Sequence, residues 1–419
     1  MKPQQMNVHF NDLGLAPKML ELLAKQKLSV PTPIQYQSIP PALEGKDIMG
    51  IAQTGTGKTY AFGLPMIQRI AQSQEKRMGL ILVPTRELAL QVHDALRKIG
   101  TPMGIRMAVL IGGENIQKQL RALSVSPQII IATPGRLIDH IENTRLSLQH
   151  VQLLVLDEAD RMLDMGFAPQ IKKILERVPK QRQTMLFSAT MPDEVLRIAH
   201  STMILPLRIE VAPAGTAIEL VTQELFFVRK DDKLSLLKTL LAKYTGSVLI
   251  FSRTKHGATK LARAIRDMGT QSTEIHSNRS LHQRAVALEG FKIGRFRVLV
   301  ATDIAARGID VKGIQLVINY DLPDSADDYV HRIGRTGRAG SGGHAISFAT
   351  PDQRKAIHSI ERVIRKPFPI SKTPFFTPEE RVVPVFQPRE MPDRPFQNKH
   401  KKFHDSRSSN RKQFRYRSR

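Results

Sequence analysis

The sequence predicts an α/β protein of two tandem domains, each a mostly parallel sheet flanked by helices, followed by a basic and disordered tail. Three observations carry this reading. The chain has 419 residues, more than one hydrophobic core usually supports, since cores rarely grow past about 250 to 300 residues. Short apolar, β-branched runs alternate with segments of helical period, the pattern of stacked βαβ units. The apolar pattern then gives way, from about Lys366, to proline and a dense run of basic residues.

Taken in order, the first set of strand-like runs is Asp47 to Ile51, Gly79 to Val83, Met107 to Ile111, Gln128 to Ala132, Gln152 to Leu156 and Thr184 to Ser188. The pattern stops near Ile204 to Val211. The small residues Ala212, Pro213, Ala214, Gly215, Thr216 and Ala217 follow and read as a linker. A second set runs Glu224 to Val228, Ser247 to Phe251, Ser272 to His276, Arg297 to Ala301, Leu316 to Tyr320 and Ala345 to Ala349. The division expected is therefore an N-terminal segment 1–38, a first domain 39–211, a linker 212–217, a second domain 218–365 and a tail 366–419. Between Lys399 and Arg419 nine Lys and Arg residues face the single acid Asp405. Such a block lacks the apolar content to fold and binds polyanions by releasing counterions.

Composition narrows the function classes. Lys and Arg number 63 against 38 Asp and Glu, a formal charge of +25, which implies a polyanionic partner: nucleic acid or an anionic membrane. Cysteine is absent, which excludes disulfide frameworks, thiol nucleophiles and Cys-ligated metal sites. No run approaches the roughly 18 apolar residues that span a bilayer, and the first twenty residues, with Lys2, His9, Asp12 and Lys18, lack a signal-peptide core. A cytoplasmic protein without a membrane partner is expected. Aromatics are 5% and Trp is absent, so contacts to a nucleic-acid backbone should outweigh base stacking.

Two motifs carry chemistry by themselves. Ala52-Gln53-Thr54-Gly55-Thr56-Gly57-Lys58-Thr59 follows an apolar run and opens a helical segment, which makes it a phosphate-binding loop. Gly55 and Gly57 let backbone N–H groups turn inward, Lys58 reaches the β and γ phosphates, and Thr59 can ligate Mg²⁺. Ala52 stands where the strict pattern has Gly. About a hundred residues on, Asp157-Glu158-Ala159-Asp160 follows a buried-strand run, placing carboxylates at a strand's C-terminal end, where open α/β sheets bind ligands. One can hold Mg²⁺ and the next can orient and deprotonate water. An acidic tetrapeptide on its own reads equally well as a loop or a helix cap.

With these residues in place the chain resembles the DEAD-box ATP-dependent RNA helicases, superfamily two enzymes with two RecA-like domains. The matching motifs run in order from Phe10 to about Ala349. Within the family it resembles the bacterial RhlE type, through Leu156 to Phe167, Ser252 to Ala258 and the short basic tail. The resemblance implies that Phe10 and Pro31-Thr32-Pro33-Ile34-Gln35 read adenine, a carboxamide being able to pair with N6 and N7. It implies that Thr54, Gly55, Thr56, Gly57, Lys58 and Thr59 hold the phosphates, with Mg²⁺ on Thr59 and Asp157. Glu158 activates the attacking water. Ser188 and Thr190, with His331 and Arg307, couple hydrolysis to unwinding. In His331-Arg332-Ile333-Gly334-Arg335-Thr336-Gly337-Arg338, Arg335 and Arg338 become arginine fingers, and Asp310 approaches the ribose. By spacing alone Asp303 and Asp310 could equally be cap residues.

The same resemblance places RNA on Pro84, Thr85, Arg86, Gly112, Gly113, Thr133 and Arg136 of the first domain and on Arg253, Gln283, Arg284 and Thr302 of the second. Glycines admit close backbone approach to phosphate and arginines add charge, so recognition is expected to ignore base sequence. Ser277-Asn278 stand where the family commonly has Gly, a departure that bears on the loop shape there. The function implied is an RNA-dependent ATPase that closes two domains on single-stranded RNA and so opens short duplexes, with ATP and Mg²⁺ as cofactors and ribosome-assembly or RNA-decay factors as candidate partners. An ATP-independent basic RNA chaperone and a DNA-directed superfamily two helicase stand as the alternatives.

Overall fold

The computed structural model describes residues 8–53, 55–73, 77–144, 146–211, 221–306, 311, 313–337 and 342–371. Thirteen strands among them form two parallel sheets. The first holds β1 (Ile48–Ile51), β2 (Met78–Leu82), β3 (Met107–Leu110), β4 (Ile129–Ala132), β5 (Val151–Asp157), β6 (Gln183–Ser188) and β7 (Leu207–Glu210), in the order β3-β4-β2-β5-β6-β1-β7. The second holds β8 (Val221–Phe227), β9 (Val248–Phe251), β10 (Ser272–Ile275), β11 (Val298–Ala301), β12 (Leu316–Asn319) and β13 (Gly343–Ala349), in the order β10-β11-β9-β12-β13-β8. Every pairing in both sheets is parallel.

Parallel strands require crossovers, and the helices that supply them cover both faces of each sheet. The first lobe carries α1 (Pro17–Lys25), α2 (Pro33–Leu43), α3 (Lys58–Ala71), α4 (Arg86–Gly100), α5 (Ile116–Ser124), α6 (Pro134–Asn143), α7 (Ala159–Asp164), α8 (Ala168–Leu175) and α9 (Asp193–Thr202). The second carries α10 (Lys233–Lys243), α11 (Lys255–Asp267), α12 (Leu281–Lys292), α13 (Asp303–Ala306), α14 (Ala326–Ile333) and α15 (Arg354–Ile364). Unbroken apolar runs such as Ile129 to Ala132 and Val248 to Phe251 are buried along their whole length, because helices pack on both sides. Two apolar clusters sandwich each sheet.

Strand register decides where the chemistry sits. In the first sheet Ile51 of β1 lies level with Ser188 of β6, and Asp157 of β5 lies level with Phe187. The phosphate-loop segment, the acidic tetrapeptide and Ser188-Ala189-Thr190 therefore emerge side by side from three adjacent strands. β7 adds a seventh strand on the far side of β1, where the sequence pattern shows only a fading apolar run.

Two boundaries differ from the sequence reading. The segment before residue 39 packs as part of the first lobe: Phe10, Leu13, Met19, Leu23 and Ile34 share one core cluster with the sheet residues Met185 and Phe187. At the other end the chain stays folded past residue 365. Phe368 is buried and meets Tyr329 edge-on at 5.4 Å. Leu225 N donates to Pro369 O (2.9 Å) and Ser371 N to Leu225 O (2.9 Å). One aromatic anchor and two backbone hydrogen bonds on an edge strand hold a stretch whose prolines suggest a tail. The linker residues 212–217 and the basic run beyond Ser371 lie outside the described residues.

Candidate active site and nucleic-acid interface

The loop after β1 is shaped by its glycines. Gly55 and Gly57 have φ of 87° and 94°, a region that glycine enters without steric cost. A Cβ on Gly57 would also lie 2.4 Å from the Gln35 amide nitrogen, so a side chain is excluded twice. Gln35 is buried; its Nε2 donates to Gly57 O (3.0 Å) and its Oε1 accepts from Thr32 N (2.9 Å). The residue expected at adenine thus also ties the N-terminal segment to the phosphate loop. A carboxamide has two N–H donors and two acceptor lone pairs, so each end keeps one for a base.

Lys58 opens α3 and is 5% exposed, yet among the described residues its Nζ has no hydrogen-bond acceptor, and the carboxylate oxygen Asp157 Oδ1 is 3.9 Å away. A buried ammonium in this state is costly unless an anion arrives. It stands at a helix N-terminus beside inward-turned backbone, the arrangement that binds phosphate. Burial pushes Asp157 up to about 6 against the pull of Lys58. A carboxylate so starved of solvation suits a divalent cation, which prefers hard oxygen donors.

Glu158 occupies left-handed backbone, φ 53° and ψ 53°, which is strained for a non-glycine residue and common at functional sites. Burial alone would raise its carboxyl, but Arg161, Lys58 and Arg335 together outweigh burial and hold it at about 2. Arg161, one helical turn on, bonds Glu158 Oε2. The neighbouring Asp160 is the hub that the sequence reading left without a role. Its Oδ2 accepts from Ala189 N (3.1 Å), Thr190 N (2.8 Å) and Thr190 Oγ1 (2.9 Å), while its own N–H donates to Ser188 Oγ (3.1 Å). Ser188 and Thr190 are thereby locked to the acidic tetrapeptide, which the sequence spells out but whose partner thirty residues away it does not reveal.

The second lobe closes over this edge. Gln53, Ala189 and Thr190 face Val330, His331, Gly334 and Arg335 around one small pocket. Arg335 is 4% exposed, and its charge reaches Glu158 strongly enough to lower that carboxyl. Burial, with Arg335 beside it, holds His331 below the usual imidazole range although Asp160 and Glu158 oppose this, so it faces the cleft neutral. Arg332, between the two, is internal to the second lobe: it grips Asp303 with two nitrogens (2.5 and 2.7 Å) and lies 4.9 Å over the Phe251 ring. Asp303 is therefore an ion-pair partner. Thr54, Arg307, Asp310 and Arg338 lie outside the described residues.

The residues expected at RNA gather on the first lobe. Arg86 lies against Gly112 and Gly113, where a Cβ would come within 3.2 and 2.1 Å of its guanidinium. Arg136 Nη2 donates to Glu114 O (3.3 Å). Pro84 and Thr133 are buried beside these loops, and Thr85 caps α4 by accepting from Leu88 N (3.3 Å), leaving its hydroxyl proton free to donate. In the second lobe the picture is divided. Arg284 pairs with Glu87 of the first lobe at 2.8 Å, both largely buried. Gln283 caps α12, its Oε1 accepting from Ser280 N (3.0 Å). Arg253 is half-exposed near Asp324 and Leu322 O, and Thr302 sits partly buried after β11.

Comparison with known proteins agrees with this geometry. Residues 32–198 match the DEAD/DEAH box helicase family and residues 232–340 the helicase conserved C-terminal domain. An ATP-dependent rRNA helicase, RRP3, of Debaryomyces hansenii is 41% identical over 87% of this chain and 77% of its own. The DEAD-box ATP-dependent RNA helicase CshA of Geobacillus kaustophilus is 42% identical over 87% of this chain and 78% of its own. Among solved structures, S. cerevisiae Dbp5 bound to RNA and ADP BeF3 superposes with a TM-score of 0.78 at 30% identity, covering 86% of this chain and 95% of that one. Mss116p bound to ssRNA and AMP-PNP gives 0.80 at 26% identity, over 88% and 80%.

Proposed function

We propose a mechanism from one premise: the chain belongs to the DEAD-box family of ATP-dependent RNA helicases. It is an RNA-dependent ATPase that closes its two lobes on single-stranded RNA, and so opens short duplexes locally or remodels RNA–protein complexes. The observation that carries this reading is geometric: His331 and Arg335 of the second lobe share one small pocket with Gln53, Ala189 and Thr190 of the first, so neither lobe alone has a complete hydrolytic site.

ATP binds the first lobe, its adenine toward Phe10 and Gln35 and its phosphates on residues 52–59. Lys58 gains there the anionic partner it lacks. Thr59 and Asp157 would hold Mg²⁺, which neutralises phosphate charge. Glu158 accepts a hydrogen bond from the attacking water, whose oxygen bonds to the γ-phosphorus as the bond to the ADP oxygen breaks, its proton passing to an oxygen of the released phosphate. A carboxyl near 2 is a weak base, so its main task is to aim the water, and the loose transition state of phosphoryl transfer asks for little more. Arg335 and Arg338 neutralise charge on the transferring group, Asp310 meets the ribose, and Arg307 ties the lobes. RNA backbone lies across Arg86, Gly112, Gly113, Thr133 and Arg136, then Arg253, Gln283 and Thr302. Ser188, Thr190 and His331 meet at the cleft and couple the two ligands.

The Arg284–Glu87 pair belongs to closure. Arg284→Glu would set two buried carboxylates together, and breaking such a pair costs about 3–5 kcal/mol. The RNA concentration for half-maximal ATPase is expected to rise by more than about tenfold, and adding Glu87→Arg in the same chain should recover most of it. No recovery would detach the pair from closure.

The RhlE-like subgroup, a cytoplasmic location and ribosome-assembly or RNA-decay partners are the finer placements we propose, resting on Leu156 to Phe167, Ser252 to Ala258 and the basic tail. The test is ATPase activity titrated with RNA and with DNA of the same sequence, for the full chain and for a chain ending at Ser371, which keeps the strand contact at Leu225. Stimulation by RNA above DNA is expected. The shortened chain should keep its turnover at saturating RNA but bind more weakly, with a smaller dependence on salt. RNA-independent turnover would refute the reading, and unchanged affinity at every salt concentration would remove the tail from it.

A further inference from the structure

Behind the Gly112-Gly113 loop lies a polar pair that neither the sequence motifs nor the mechanism uses. His140 on α6 is 0% exposed and Gln119 on α5 is 2% exposed. The imidazole Nε2 and Gln119 Oε1 are 2.9 Å apart, and Gln119 Nε2 donates to the carbonyl of Ile111 at 2.8 Å. The second bond fixes the direction of the first: with its nitrogen committed to Ile111, Gln119 offers oxygen to the ring, so His140 carries its proton on Nε2. Nδ1 has no hydrogen-bond partner among the described residues, and burial, reinforced by Arg136, keeps the ring neutral.

The geometric consequence falls on the next residue. The Ile111 carbonyl and the Gly112 N–H share one planar, trans peptide, and in such a plane the oxygen and the hydrogen point in opposite directions. Gln119 draws the carbonyl into the protein, so the Gly112 N–H points the opposite way, away from Gln119. That N–H makes no hydrogen bond among the described residues.

We propose that Gln119 and His140 are positioning residues for RNA: a buried relay of two hydrogen bonds that sets the Ile111–Gly112 peptide plane and presents the Gly112 N–H to a backbone phosphate. The relay also joins α6, which begins at the Thr133 to Arg136 loop, to the glycine loop, so two of the RNA-facing loops move as one body. This rests on the reading that Gly112-Gly113 faces RNA.

The experiment titrates RNA in the ATPase assay for the full chain carrying Gln119→Met, which keeps length and fill without hydrogen bonding, and separately for His140→Leu and His140→Gln. Thermal unfolding verifies that each is folded. Gln119→Met is expected to raise the RNA concentration for half-maximal activity roughly tenfold, the worth of one hydrogen bond to a charged group. Turnover at saturating RNA and the KM for ATP should hold, and the salt slope should stay, since no charge is removed. His140→Leu should act in the same direction and add little to Gln119→Met, because the two act in series. His140→Gln, which keeps an N–H for the relay, should recover affinity. Arg86→Ala tests the underlying reading separately, with an expected loss of about one in the salt slope. If Arg86→Ala weakens RNA binding while Gln119→Met does not, the relay is overturned. If neither matters, the RNA-facing reading itself fails. A parallel fall in turnover and thermal stability across the Gln119 and His140 variants would reduce the pair to a packing role and overturn the proposal.

Discussion

Glu158→Gln is expected to cut RNA-stimulated ATP turnover by about a hundredfold, because the attacking water loses the carboxylate that aims it and misplacement at the reacting atoms costs about that much. The substitution keeps the shape and the left-handed backbone but takes away the charge that pairs with Arg161 and faces Lys58 and Arg335. ATP affinity should hold or increase slightly, because one carboxylate close to the phosphates is gone. Single-turnover hydrolysis at saturating RNA, beside nucleotide binding by a fluorescent analogue, checks both. Unchanged turnover would take the water-aiming role from Glu158 and leave Asp157 or Asp160 to be tested in its place.

Arg335→Ala carries the second large effect. Arginine fingers are worth about a thousandfold or more in turnover, and Arg335 is the described cation that the second lobe brings to the acidic tetrapeptide. Its loss should fall on turnover at saturating ATP and RNA, with little change in the KM for ATP, since the proposed ATP site lies on the other lobe. Arg335→Lys should remain impaired: an ammonium restores charge but not the planar fork, and Arg335 Nε also donates to His331 O at 3.3 Å. Equal losses in KM and turnover would mean that Arg335 supports the ground-state complex instead.

Most strands were legible in the sequence because they are buried on both faces, and apolar runs such as Ile129 to Ala132 leave little choice of element. The phosphate loop and the acidic tetrapeptide were legible because their chemistry lies in contiguous residues. What could not be read was whatever depends on neighbours distant in sequence. Asp160 holds Ser188, Ala189 and Thr190 through a register between β5 and β6, which no local pattern encodes. That Arg284 pairs with Glu87 of the other lobe, 2.8 Å away, could not be read from its basic character alone. Gln35 pairs with the phosphate loop twenty-two positions on, a bond that only the packing of α2 on α3 discloses. The end of the second lobe was misplaced because Pro367 and Pro369 suggest a tail, while Phe368 between them is buried.

The central claim is that hydrolysis requires the two lobes together. The chain has no cysteine, so Lys172→Cys on α8 and Lys238→Cys on α10, both exposed, accept a pair of labels without background. The distance between them, followed by single-molecule energy transfer, should settle to one short value only with RNA and a non-hydrolysable ATP analogue present together, and turnover should track the fraction of molecules in that state. Full turnover in molecules whose labels stay far apart would contradict the account.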